Sequence, residues 1–215
     1  FVCWKWTGPD PARTFPPASV NVLHAMLTRH YHAPFRLVCL TDDPAGIDAA
    51  IDVRPLPVTK ADALRSVHDR SGKLWPACFR RLWLFSEEAC VLGDRLVNID
   101  LDVVILDDIT ELLQSKTASF VGWCSNNPDA WLKIAGGIWM LDAGQHTNVW
   151  TDFEPATSPT VAYNAGYHGS DQAWLSHKLY PPKERWSAVD GLLKLGWLAH
   201  TGRPPPHGAR IIFTN

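Results

Sequence analysis

Apolar residues along this chain fall into two alternating patterns. Short continuous runs bounded by turn residues predict buried strands. The first is Phe1-Val2-Cys3-Trp4-Lys5-Trp6, stopped at Gly8-Pro9; others cover 35–40, 51–53 and 95–99. Between them, Val20, Leu23, Leu27 and Tyr31 recur at helical spacing behind Pro16-Pro17, which predicts a helix with proline at its start. Phe79, Leu82, Trp83 and Phe85, set among Arg80, Arg81, Glu87 and Glu88, predict an amphipathic helix over 75–92 closed by Gly93. A further apolar run covers 103–106, and strands are predicted over 119–123 and 137–141. Gly169-Ser170-Asp171-Gln172 opens a helix toward Lys178 with Ser170 as N-cap. Pro204-Pro205-Pro206 marks a loop before a last strand over 211–213. Alternating strands and helices predict an α/β fold with a mostly parallel central sheet flanked by helices. No repeat or linker divides residues 1–215, so a single domain is expected.

Composition changes this picture little. A hydrophobic fraction of 46% over 215 residues is that of a globular protein, and a formal net charge of -2 gives no global electrostatic case for nucleic acid or anionic membrane. Eleven tryptophans are the oddity. They suit a core, and their flat faces also suit carbohydrate rings. Cys3, Cys39, Cys78, Cys90 and Cys124 are odd in number and lack metal-type spacing, which points to a reducing, cytoplasmic compartment. Neither a transmembrane helix nor a retained signal peptide is expected, because no run approaches about 18 apolar residues and no basic leader precedes an apolar segment. Phe1 already lies within a strand-like run, so residues before it are expected.

The chemically distinctive feature is Asp100-Leu101-Asp102, directly after the apolar run Leu96-Val97-Asn98-Ile99. In an extended segment residues i and i+2 project to one side. Two neighbouring carboxylates repel, and burial disfavours both charges. A hard divalent cation, Mg²⁺ or Mn²⁺, relieves that cost and keeps positions open for phosphate oxygens. With seventeen Asp in the chain, chance alone supplies roughly one Asp-x-Asp, so the weight lies in the strand before it.

The run LGDRLVNIDLDVVILDDITELL resembles the DxD segment of glycosyltransferases of the GT-A fold, especially family-8-like and related bacterial and phage enzymes. CFRRLWLF resembles their helix before that strand, FRLVCLTDDPAGI their second strand and loop, AGGIWML their acceptor-side glycine strand, and GSDQAWLSHKL the start of their Asp-Gln helix. These segments occur in the family's order. The resemblance implies a nucleotide-sugar and metal-binding half over 1–106 and an acceptor-side half over 107–215. It implies transfer of a hexose from a nucleoside-diphosphate sugar, for example a UDP-sugar, to an acceptor hydroxyl. That hydroxyl belongs to a glycan, a lipid-linked sugar, a protein or a modified base.

Residue by residue, the resemblance implies that Asp100 and Asp102 bind Mn²⁺ or Mg²⁺ bridging the donor diphosphate. It makes Trp4, Lys5, Trp6 and Thr7 candidates for base and ribose contacts, with Trp4 as core the competing reading. Arg80 is the donor-facing basic residue, with a solvated helix face the competing reading for Arg81. Gly136 and Gly137 allow a backbone to approach a sugar, or form a plain tight turn. Asp171 and Gln172 are the catalytic candidates. Asp171 is a general base if the anomeric centre inverts; if it is retained, the pair positions the donor or stabilises a cationic centre. Helix capping alone also explains Asp171. The pattern departs from the family at its end, where Thr214 stands in place of a metal-binding His and no Lys-Pro follows. The third ligand then comes from further residues or from elsewhere, with His200 a candidate. Two rival functions remain: a nucleotidyltransferase, disfavoured by the single glycine in KWTGPDPARTF, and an inactive sugar-binding module.

Overall fold

The computed structural model describes residues 1–8, 14–68, 74–124, 133–196, 202 and 204–214. In chain order its elements are β1 (Val2–Lys5), α1 (Pro17–His30), β2 (Val38–Thr41), β3 (Asp52–Pro55), β4 (Ser66–His68), β5 (Leu74–Pro76), β6 (Arg95–Ile99) and β7 (Val103–Ile105). Then follow α2 (Thr110–Gln114), β8 (Phe120–Cys124), β9 (Ile134–Asp142), α3 (Asn148–Thr151), α4 (Ser158–Asn164), α5 (Asp171–Leu179), β10 (Glu184–Trp186), β11 (Leu192–Lys194) and β12 (Ile211–Phe213). Seven strands hydrogen-bond in the order β10-β8-β9-β6-β1-β2-β3. The class is mixed α/β, as the strand–helix alternation predicts. Among the described residues no helix is long and apolar enough to cross a membrane.

The chain forms two compact units, each assembled from separate segments. The first comprises Phe1–Leu56, Val97–Thr117 and Trp186–Asn215. Here β1 pairs in parallel with β2 and β6, and β2 with β3. Every residue of β1 and β2 is buried, which is why these strands read as continuous apolar runs rather than alternating ones. Helix α1 starts at Pro17 without a side-chain cap and buries Val20, Leu23 and Leu27. The apolar run after the acidic triplet becomes β7, which joins a separate three-stranded sheet ordered β11-β12-β7.

The second unit comprises Pro57–Leu96 and Ala118–Arg185. Its antiparallel pair β8–β9 carries a register shift between Gly122 and Trp123. Where one amphipathic helix was expected over 75–92, two 3₁₀ helices form, Phe79–Phe85 and Glu87–Leu92. Ser86 breaks the run with extended backbone, and Gly93 closes it at φ 140. The physical reason is burial on every side: Phe79, Arg81, Leu82, Trp83, Leu84 and Phe85 are all enclosed, so no single stripe faces the core.

Trp139 is fully buried and stacks on Phe85 at 5.1 Å; Phe79 meets Phe153 at 5.1 Å, and Phe153 meets Trp174 edge-on at 5.8 Å. Trp4, Trp83, Trp123, Trp139, Trp174 and Trp186 are all buried, so most of the described tryptophans are core and do not form a sugar platform. Replacing Trp139 with Ala is expected to cost about 3–5 kcal/mol of unfolding free energy. Val58→Ala, at a side chain 97% exposed, should stay within about 0.5 kcal/mol of wild type. Urea denaturation measures both, and a tolerated Trp139→Ala contradicts the packing described.

Candidate functional site

In the first unit, the chemistry gathers where β1, β2 and β6 end. Trp4 lies in the core at 5% exposure, and its indole N–H donates to Asn98 Oδ1 at 3.1 Å. Asn98 is itself fully buried, and its Nδ2 has no hydrogen-bond partner. Lys5 is buried too; its ammonium donates to the Asp43 carbonyl at 2.9 Å and faces Asp43 Oδ2 at 3.4 Å. Trp6 is half-buried and Thr7 exposed. The Thr7 N–H donates to both Asp42 carboxylate oxygens at 3.0 Å. The loop after β2 is therefore a clamp on the tip of β1, not a plain turn. Asp43 is held below the usual carboxylate range, first by the Ala45 N–H at 3.1 Å and then by Lys5. In sequence Thr41-Asp42-Asp43-Pro44 reads only as the polar turn that ends a strand, and nothing local shows that its carboxylates reach β1.

Leu101 is turned inward at 8% exposure, and the flanking Asp100 and Asp102 are partly exposed. The chain bends at Leu101 and Asp102 between β6 and β7, and this bend leaves the two carboxylates on the more exposed side of Leu101. The Asp102 carbonyl accepts from the Thr214 N–H at 2.9 Å and the Thr214 hydroxyl at 3.1 Å. The position just past β12 is thus fixed directly on the triplet. Among the described residues no group of three or more His, Cys, Asp or Glu converges as a metal cage. Asp100 and Asp102 lie two residues apart at this bend, both partly exposed. His200 lies outside the described residues.

In the second unit, the site is built on a buried ion pair. Arg81 Nη2 donates to Asp171 Oδ1 at 3.0 Å, and its Nε lies 2.7 Å from Oδ2 as a charge contact off the N–H axis. Both side chains are enclosed, at 7% and 1% exposure. Arg81 Nη1 also donates to the Gly136 carbonyl at 3.3 Å. Gly136 is required here, because a Cβ at that position would lie 2.8 Å from Arg81 Nη2. Its N–H donates to Gln172 Oε1 at 3.4 Å. Gly169, at φ +116, leaves room for the same Gln172 side chain. Gly137 is buried within β9.

Ser170 occupies the N-cap position of α5, yet its hydroxyl does not cap the helix. It donates to Asp171 Oδ1 at 3.0 Å and accepts from the Cys78 N–H at 3.2 Å. With both oxygens engaged and 1% exposure, Asp171 is presented to Arg81 and not to solvent. Its geometry is that of a positioning group for the guanidinium, the β9 glycine and the first turn of α5. Arg80 lies elsewhere, 3.4 Å from Asp62 and partly exposed. Arg81, for which a solvated face was the competing reading, is the buried member. Sequence spacing could not separate these neighbours, because the side that is buried depends on how the 3₁₀ turn packs.

These elements, with helices against a seven-stranded mixed sheet and an acid pair at the end of β6, make a GT-A fold. The galactosyltransferase LgtC, in its crystal structure with donor and acceptor sugar analogues, matches with a TM-score of 0.60 at 12% identity, covering 99% of this chain and 86% of that one. The structure of an active-site mutant of LgtC gives 0.61 at the same identity and coverage. No family model matches the chain, and no curated protein does.

The ion pair gives a thermodynamic test. Arg81→Met leaves the Asp171 charge buried without its partner and should destabilise by about 3–5 kcal/mol. The double variant Arg81→Met/Asp171→Leu should lose less than the sum of the two single changes. Denaturant midpoints of the four proteins measure this coupling, and simple additivity contradicts a direct pair.

Proposed function

We propose that this chain is a metal-dependent glycosyltransferase that moves a hexose from a nucleoside-diphosphate sugar to an acceptor hydroxyl. The observation that carries the reading is the placement of Asp100 and Asp102. They are two partly exposed carboxylates on either side of an inward Leu101, where a buried strand leaves a GT-A sheet. Asp100 and Asp102 would hold Mn²⁺ or Mg²⁺, which when bound supplies positive charge to the departing diphosphate.

The remaining work falls to the chain's own groups. The Lys5–Asp43 and Thr7–Asp42 contacts hold the β1 tip rigid, so Trp6 and Thr7 present their surfaces to base and ribose without an ordering cost. In the second unit, Gln172 is the polar side chain assigned to the donor sugar. Arg81 and Asp171 act through it as a positioning pair, since Gly136 touches both Arg81 and Gln172. A preorganised amide of this kind stabilises developing charge without rearranging. The acceptor is taken to be a sugar hydroxyl, because LgtC was crystallised with an acceptor sugar analogue.

A thermal-shift series with nucleoside diphosphates, with and without Mn²⁺, tests the reading. A ligand at 100 times its Kd should stabilise the native state by about 2.7 kcal/mol. At least one diphosphate should raise Tm in the presence of Mn²⁺, and Asp102→Ala should abolish that rise. Absence of any shift, from protein that melts cooperatively, overturns the proposal.

A further inference from the structure

We propose that the hydrogen bond between Trp4 and Asn98 is a positioning strut that sets the spacing between the β1 tip and the Asp100–Asp102 pair, and so couples nucleoside binding to metal binding. This rests on the donor reading above and adds to it two residues that act on the site from the core. The case begins with an asymmetry in how β1 is held. Against β2 it pairs along its whole length, from Val2 opposite Val38 to Lys5 opposite Thr41. Against β6 the pairing among the described residues is Val2 opposite Asn98. Continued in parallel, that register would set Trp4 beside Asp100, but β6 ends at Ile99. Backbone pairing between the two strands therefore stops just before the residues assigned to base, ribose and metal.

A side-chain bond spans that gap. Val2 and Trp4 share one face of β1, and Asn98 stands opposite Val2, so Trp4 and Asn98 are diagonal neighbours. The Trp4 indole N–H donates to Asn98 Oδ1 at 3.1 Å, and both side chains are buried. The indole fixes the amide with its oxygen toward Trp4, which leaves Nδ2 buried with no partner among the described residues. A half-satisfied amide is costly in a core, and a leucine there would carry no such cost. The bond to Trp4 is the use that the structure shows for an asparagine at this position. Trp4 lies two residues before Trp6, and Asn98 two before Asp100, so the strut meets each strand at the same short distance from the site. A nucleoside diphosphate held by its base at the β1 tip and by its phosphates through the metal is a two-point ligand. It gains over its separate parts only where the two points stand at the right spacing.

Titration calorimetry on the full chain tests the proposal, using the diphosphate that gives the largest thermal shift, its parent nucleoside, and Mn²⁺ alone. Trp4→Phe keeps a ring and removes the donor; Asn98→Leu removes the acceptor. Either change should weaken diphosphate binding in the presence of Mn²⁺ by about tenfold, and leave nucleoside alone and Mn²⁺ alone within about twofold of wild type. The double variant should lose no more than either single one, because both remove the same bond. A general loosening of the core would instead weaken all three ligands together. Unchanged diphosphate affinity in Trp4→Phe overturns the inference, as do matching losses of nucleoside and Mn²⁺ or multiplied losses in the double variant. Failure of wild type itself to bind any diphosphate instead sinks the donor reading, and this inference falls with it.

Discussion

A buried strand can carry charge only where it leaves the core, and in this protein β6 reaches that point at Ile99. Leu96, Val97, Asn98 and Ile99 are all enclosed. Beyond them the chain bends, with Leu101 enclosed and Asp100 and Asp102 partly exposed on either side of it. Thr214 holds this exit through the Asp102 carbonyl, and Asp42 and Asp43 hold the tip of β1.

The second unit solves the opposite problem, keeping a charge inside. Asp171 sits at the first turn of α5, and it is enclosed. It tolerates enclosure because Arg81 supplies a forked counter-ion and Ser170 a hydroxyl. The pair also reaches Gly136 and so ties β9, α5 and the 3₁₀ turn together. Such a pair adds little to stability compared with well-packed apolar residues of the same volume. Its value lies in fixing the geometry of the Gln172 amide, which shares Gly136 with it.

Strands β1, β2, β6 and β12, helix α1, the start of α5 and the acid pair were legible in the chain, because each rests on short-range periodicity. Whether Trp4 is core was an open question that the sheet resolved by pairing β1 with β2 and β6, and the Lys5–Asp43 contact had no signal in the sequence. The helix expected over 75–92 is two 3₁₀ helices split at Ser86, the first enclosed on nearly every side and the second burying only Ala89 and Leu92. Arg80 and Arg81 differ by one position, and no local rule says which of them a 3₁₀ turn buries.

By itself the sequence determined where strands run, where they stop, and that two carboxylates stand together at one such stop. Hydrophobic period and turn chemistry act within a few residues, and those features need nothing more. Only the tertiary structure decided what those ends meet: Arg81 with Asp171 across 90 residues, and Thr214 with Asp102 across 112. Such meetings depend on strand order and register, which follow from burying the whole set of apolar faces at once and not from any single segment.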